Sequence, residues 1–489
     1  MKITIEGDIN VSYVQNLCLI FFPGQKFSQN EAETEETPKA HVKVEKLEDG
    51  YTSTVTLEVG DRKQTATVHI PHNPLHSDHR MAQIAVGAAV HEAGKRITEF
   101  NPPWGILVGI RPGKVAAKLY DELGTKTAVK KVLTGDYLLS NKKAQLITTV
   151  ALNEQKLVRR YKPDTCSLYV SIPFCPTRCA YCSFVSYATP RLLSMIPEYL
   201  ERLKADIAKT VEIIKAKGQR IVTVYIGGGT PTTLNELQLG DLLEFIGKQI
   251  DPSGLDEYTL EGGRPDTVNP TKLKVASSCG VSRVSINPQT LNDDILKSIG
   301  RKHTADDFFR AYYQARQSGF KTINTDVIAG LPGDNFASFS KTMDQIVQLR
   351  PENITVHTFF VKKASDILHS GVNVYSRNSR EAVQCVDYSQ IVTNQNKYHP
   401  YYLYRQKNTV GNLENVGFSL DGHDGIYNCL IMAEEHDIYA CGAGAVTKLV
   451  SEDGTLRRFY MPKYPYEYLD MPLDSEEREA VFSEIMNYR

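Results

Sequence analysis

Apolar and polar side chains alternate residue by residue through much of residues 1–72, as in "ITIEGDINVSYV" and "YTSTVTLEVGDRKQTATVHI". A period of two predicts several short strands there. Between them "SQNEAETEETPKAH" (28–41) is acidic and poor in apolar residues, which predicts an exposed loop. In "DHRMAQIAVGAAVHEAGKRITEF", from residue 78, apolar positions recur with the helical period. "NPPWGILVGIRPGKV" (101–115) is punctuated by Pro and Gly and holds Trp104, the one tryptophan. Helical stretches then follow to about residue 160.

After residue 165 the pattern changes to short apolar runs: "SLYVSI" (167–172), "IVTVYI" (221–226), "EYTLEG" (257–262), "VSRVSI" (281–286), "TINTDVI" (322–328) and "NITVHTFF" (353–360). Helix-like segments separate them, among them the amphipathic "IPEYLERLKADIAKTVEIIKAKG" (196–218), which ends at a glycine. Six strands alternating with helices predict right-handed βα units and a parallel sheet. Six units are fewer than the eight of a closed barrel, so the expected fold is α/β, a partial (β/α)6 TIM-like barrel. The expected domains are an N-terminal α+β extension (1–160), the barrel (161–375) and a small C-terminal cap (376–489). Chemistry in such folds belongs on the loops that follow the strands.

Charge and composition narrow the function. Across 489 residues, 56 Lys+Arg nearly cancel 57 Asp+Glu, which argues against a nucleic-acid binder. No apolar run reaches the roughly 18 residues of a membrane span. The opening "MKITIEGDINVSYVQ" is polar and alternating, unlike a signal peptide. Six of nine cysteines are scattered: Cys18, Cys166, Cys279, Cys385, Cys429 and Cys441. An odd number in a large chain points away from a disulfide framework and towards the cytoplasm.

The other three, Cys175, Cys179 and Cys182, form C-x3-C-x2-C just after the first barrel strand. Pro173, Pro176 and Arg178 in the same loop suit an exposed turn rather than a buried thiol cluster. A structural zinc ion would want four closed ligands, and the nearest fourth is Cys166, on the far side of the strand. Iron–sulfur clusters also normally take four thiolates. Three from one loop leave one iron open for an external ligand. The second strand runs into Gly227-Gly-Gly-Thr-Pro-Thr232, where bare backbone allows close approach of a ligand.

This spacing resembles the radical S-adenosylmethionine (SAM) superfamily. The resemblance implies a [4Fe-4S] cluster on Cys175, Cys179 and Cys182, with SAM on the open iron. "LYVSIPFC", "GGGTPT", "SRVSINPQTLNDDILKSIGRKHT" and "NTDVIAGLPGD" narrow it to the oxygen-independent coproporphyrinogen III dehydrogenase family over roughly 165–450. "EGGRPDTVNP", "INPQTLN", "YYLYRQKNTVGNLENVGF" and the "PWGILVGIRPGK" segment are similar to its HemZ-type subgroup. Carried over residue by residue, the SAM contacts are Tyr169 by the sulfonium, Gly228, Gly229 and Thr230 at the methionyl end, then Glu261, Gln289, Arg301 and Asp326. A carboxylate at Asp326 suits ribose hydroxyls, and Arg301 suits the SAM carboxylate. The implied activity is oxidative decarboxylation of coproporphyrinogen III to protoporphyrinogen IX in haem biosynthesis. It needs an electron donor of reduced flavodoxin or ferredoxin type and an external acceptor. Two positions depart from the family: Phe184 replaces a further cysteine, and Ser171 replaces a histidine. Phe184 is similar to the haem-chaperone branch, whose His-Asn and Tyr-Trp segment is absent here. A haem chaperone and a radical SAM enzyme for another tetrapyrrole therefore stand as alternatives.

Several residues carry two readings. Lys362, Lys363, Arg405 and Lys407 can anchor propionates or be ordinary solvated charges. Tyr401, Tyr402 and Tyr404 can stack on a macrocycle or pack into a core. Gly442 and Gly444, in "YACGAGAVTK", are candidates for the cofactor region. His72, His76 and His79 are either metal ligands or loop histidines, and Cys279 reads as core.

Overall fold

A computed structural model of the chain describes residues 1–27, 34, 36–182, 188–360, 379–406 and 409–488. The chain forms two compact units. The first comprises Met1–Leu152, Asn373–Val383 and Leu403–Glu414; the second comprises Asn153–Val372, Gln384–Tyr402 and Asn415–Arg489.

In the first unit, β1 (Lys2–Glu6), β2 (Lys39–Leu47), β3 (Gly50–Val59) and β4 (Arg62–Pro71) form a sheet in sequence order. β1 runs parallel to β2, and β2–β3 and β3–β4 are antiparallel. The alternating start of the chain predicts strand past Val11, but Val11–Phe21 is a helix. Of its five buried side chains, Val14, Leu17, Cys18 and Phe21 recur at three- and four-residue steps, and Asn10 accepts from the Tyr13 N–H at its start. The period-two reading failed because a run this short fits both templates until its core-facing residues are known. The helix Asp78–Thr98 buries 13 of its 21 residues. Its Gly94 lies where a Cβ would sit 2.5 Å from the Phe21 ring, so the two helices meet face to face.

The second unit carries the expected barrel strands: β5 (Thr165–Ile172), β6 (Arg220–Gly228), β7 (Glu257–Gly263), β8 (Arg283–Ile286), β9 (Thr322–Ala329) and β10 (Asn353–Thr358). These six are neighbours and all parallel. Their unbroken apolar runs reflect burial on both faces. Helices Ile196–Ala216, Glu236–Gln249, Pro270–Ser278, Ala305–Gln317 and Phe336–Leu349 lie between them in the chain. Residues from 399 on, expected to form a small cap, extend the same sheet. They add β11 (His399–Arg405), β12 (Glu414–Ser419), β13 (Asp437–Cys441), β14 (Val446–Val450) and β15 (Leu456–Tyr460), in the order β11-β12-β10-β9-β8-β7-β6-β5-β13-β14-β15. β13 lies parallel to β5, so a seventh parallel strand flanks the one that feeds the cysteine loop.

Several two-way readings resolve. Tyr401 and Tyr402 are buried in β11 and belong to the core. Cys279 is only half-buried at the end of helix Pro270–Ser278, which corrects its reading as core. The three histidines go to separate partners: His76 to Asp136 at 2.7 Å, His79 to Gln83 at 3.1 Å, and the His72 N–H to the Asp49 carbonyl. Arg405 is no propionate anchor. It is 2% exposed in the first unit, donates to the Leu107 and Asn412 carbonyls, and lies 4.9 Å from the centre of the Trp104 ring. Lys362, Lys363, Lys407 and Phe184 lie outside the described residues.

Beside Arg405, Trp104 Nε1 and Lys143 Nζ each donate to the Glu414 carboxylate at 2.7 Å, with Lys143 and Glu414 both essentially unexposed. Removing one member of a buried ion pair strands the other charge, a cost of about 3–5 kcal/mol. Lys143→Met should lower the stability of the first unit by that order in urea denaturation. Lys143→Met combined with Glu414→Gln, which keeps an acceptor for Trp104 Nε1, should recover part of the loss.

Candidate functional site

The carboxyl ends of β5 to β9 face the same way, and the sequence-marked residues collect there. β5 ends at Ile172, and its continuation is tied down at several points. The Gly229 N–H donates to the Ile172 carbonyl and the Thr230 N–H to the Phe174 carbonyl, both at 2.8 Å. Cys175 is buried, with its Sγ 3.3 Å from Thr230 Oγ1. The Cys182 N–H closes a turn on the Cys179 carbonyl at 3.1 Å, and the Ala180 N–H donates to the Ile299 carbonyl at 3.1 Å. The glycines that end β6 make this possible. A Cβ on Gly229 would sit 2.6 Å from the Phe174 carbonyl oxygen, and Gly228 has a φ of +112°. The triple glycine thus first serves the approach of two backbones.

Around the loop sits a group of buried cations. Arg264, 3% exposed, is gripped by Asp266 through Nε at 3.0 Å and Nη2 at 2.9 Å. Its Nη1 faces the loop and donates to Thr177 Oγ1 at 2.9 Å, to the Thr177 carbonyl at 3.3 Å and to Cys179 Sγ at 3.5 Å. Burial pushes the Asp266 carboxyl up, but the bonds and charge of Arg264 outweigh it, and the net shift is downward. Arg301 donates twice to the hydroxyl of Tyr181, at 3.1 and 2.9 Å, and once to the Asn287 carbonyl. Burial and the Arg301 charge push nearby His303 down to about 4, so its ring is neutral at physiological pH.

Further along the edge, Tyr169, Tyr225 and Tyr427 stack with ring centres 4.6 to 6.1 Å apart. Tyr225 donates to Glu261 Oε1 at 3.2 Å. Burial and the Asp326 charge push Glu261 up to about 7. Burial also pushes Asp326 up, but its neighbours prevail and hold it below the usual range. His357 Nε2 lies 3.6 Å from it, and the Asn287 and Asn324 amides donate to it at 2.8 and 2.7 Å. Two acids side by side therefore hold different protonation tendencies. Gln289 has a φ of +67°, and its backbone pairs with Asp326 and Ile328. Its buried Oε1 has no hydrogen-bond partner among the described residues. An orphaned buried acceptor in strained backbone suits a ligand that completes it.

Towards this end of the sheet lie the cluster and SAM candidates Cys175, Cys179, Cys182, Tyr169, Gly228, Gly229, Thr230, Glu261, Gln289, Arg301 and Asp326, with Tyr169, Glu261 and Asp326 inside their strands rather than beyond them. Gly442 is instead a packing position, where a Cβ would meet Tyr199 Oη at 2.6 Å and the Ser171 carbonyl at 2.7 Å. Ser171 Oγ is committed to the Ala443 carbonyl. Sequence reasoning missed Tyr181, Asn287, Tyr225, His357 and Tyr427, and it assigned no role to Arg264 and Asp266. Tyr181 stood inside the cysteine loop and Asn287 two positions before Gln289; nothing local marked Tyr427.

The donor set fits an iron–sulfur cluster: soft thiolates on one short loop, with a cation against one of them. Among the described residues no three His, Cys, Asp or Glu side chains converge on a single-ion point. A cluster does not require this, because each thiolate binds a different iron.

Residues 169–346 match the radical SAM superfamily. The chain is 38% identical over 377 residues to the oxygen-independent coproporphyrinogen-III oxidase-like protein HemZ of Bacillus subtilis, covering 76% of this chain and 75% of that one. It is 36% identical over 197 residues to the haem chaperone HemW of the same organism, covering 40% of this chain and 51% of that one. Among solved structures, coproporphyrinogen III oxidase HemN of Escherichia coli aligns with a TM-score of 0.48 at 21% identity, over 61% of this chain and 67% of that one. No described helix is long and apolar enough to cross a membrane. By its cysteine loop and its extended similarity to HemZ, the chain belongs to the radical SAM superfamily, with a [4Fe-4S] cluster and SAM as cofactors, and within it to the coproporphyrinogen III oxidase-like family.

Proposed function

We propose that this chain is a radical SAM oxidoreductase that converts coproporphyrinogen III to protoporphyrinogen IX. In the net change, two propionate arms each lose CO2, one hydrogen atom, which ends in 5′-deoxyadenosine, and one electron, and become vinyl groups. The electrons go to an external acceptor, and a reduced flavodoxin or ferredoxin supplies the cluster. When bound, the cluster and SAM together supply a carbon radical strong enough to remove a hydrogen atom from an unactivated C–H bond. Cys175, Cys179 and Cys182 would hold the cluster. Gly228, Gly229, Thr230 and Glu261 would receive the methionyl end of SAM, Arg301 its carboxylate and Asp326 its ribose, with Tyr169 and Gln289 completing the cradle. The observation that carries this reading is the convergence of these residues on one strand edge, in a chain that resembles HemZ over three quarters of its length.

Similarity to HemW favours a second reading, a haem-binding chaperone. Phe184 in place of a family cysteine points the same way, while Ser171 in place of a histidine is a departure from the dehydrogenase pattern alone.

Anaerobically reconstituted protein, given SAM, a reductant and coproporphyrinogen III, should yield 5′-deoxyadenosine and successive losses of two carboxyl groups by mass spectrometry. Deoxyadenosine with an unchanged porphyrin would overturn the dehydrogenase reading, and stoichiometric haem uptake in a parallel titration would then favour the chaperone. Because Glu261 titrates near 7 and its carboxylate is the form that best accepts from the SAM amino group, SAM affinity should rise with pH up to about 7. Below that point the slope should approach about tenfold per pH unit. In Glu261→Gln, equilibrium dialysis should show a flat profile. Gly229→Ala would place a methyl against the Phe174 carbonyl; bound iron should fall severalfold while the far-ultraviolet circular dichroism stays native.

A further inference from the structure

Arg264 divides its donors between two tasks. Nε and Nη2 form a fork on Asp266, while Nη1 alone turns to the cysteine loop and meets Thr177 and Cys179 Sγ. A lysine could not do both, since only the planar guanidinium presents a bidentate edge and a further donor in fixed directions. The group is almost wholly buried, so solvent screens it little.

We propose that Arg264 is a positioning residue for the iron–sulfur cluster, which holds the loop through Thr177 and raises the cluster's reduction potential through its hydrogen bond to the Cys179 sulfur. The electron that reduces a cluster adds negative charge to its sulfurs, so a donor aimed at a ligating sulfur stabilises the reduced form. Asp266 sets the size of the effect. By pairing with the guanidinium it cancels most of the net charge at the site and leaves the directed bond. Arg264→Gln should therefore lower the potential, whereas Asp266→Asn, which removes the counter-charge, should raise it. Opposite signs from two adjacent substitutions are not what a merely structural role produces.

The inference rests on the cluster and not on the tetrapyrrole reading, because no substrate enters the test. Full-length protein with its cluster reconstituted, free of SAM, would be titrated anaerobically with a redox dye series. Electron paramagnetic resonance would follow the reduced cluster, and iron and sulfide would be assayed in each sample. The expected result is a shift on the order of tenfold in the reduction equilibrium, 59 mV for one electron, downward in Arg264→Gln and upward in Asp266→Asn. Equal potentials in all three proteins, or shifts of the same sign, would overturn it. Should Arg264→Gln not retain the cluster, Asp266→Asn decides alone: a raised potential supports the proposal, and an unchanged or lowered one overturns it.

Discussion

The whole site depends on how closely two strand ends can approach. β6 ends in glycines that donate and pack against the chain leaving β5, at a spacing that leaves no room for a Cβ on Gly229. That contact sets the path of residues 172–175 and with it the position of Cys175. Turns and bonds to Ile299, Thr177 and Thr230 carry the order onward to Cys179 and Cys182. A parallel sheet supplies the rest, because it brings five successive strand ends to one edge, where residues distant in sequence become neighbours.

At that edge the protein handles buried charge by pairing it in graded ways. Arg264 has a full carboxylate partner, Arg301 a phenol and a carbonyl, and Asp326 two amides and a histidine. Glu261 has only the Tyr225 hydroxyl and the Gly228 backbone to set against burial and a neighbouring acid, and its affinity for protons rises accordingly. The arrangement places two carboxyl groups of unlike character beside the aromatic stack of Tyr169, Tyr225 and Tyr427. Such differences in environment are how one site treats a cation and a hydroxyl separately.

The barrel itself was legible in the chain. Strands buried on both faces must be apolar throughout, so the six runs announced β5 to β10 to within a few residues. The cysteine spacing and the Gly227–Thr232 segment were also legible, because that chemistry tolerates few other residues. Less visible were features whose cause lies elsewhere in the molecule. The helix Val11–Phe21 looked like strand until helix Asp78–Thr98 supplied the surface that selects its apolar face. Arg405 looked like a surface anchor, yet it is buried against Trp104.

The sequence by itself determined the parallel α/β architecture, the three-thiol loop and the order of polar residues after successive strands. Each of these is written in local spacing or in the periodicity of burial. Tertiary structure decided which side chains share a neighbourhood: Tyr181 beneath Arg301, Arg264 against Cys179, Tyr427 stacked on Tyr225, and β13 beside β5. Those pairings join residues from about 85 to more than 250 positions apart. They are set by strand order and by the need to neutralise buried charge, and neither leaves a mark on nearby residues.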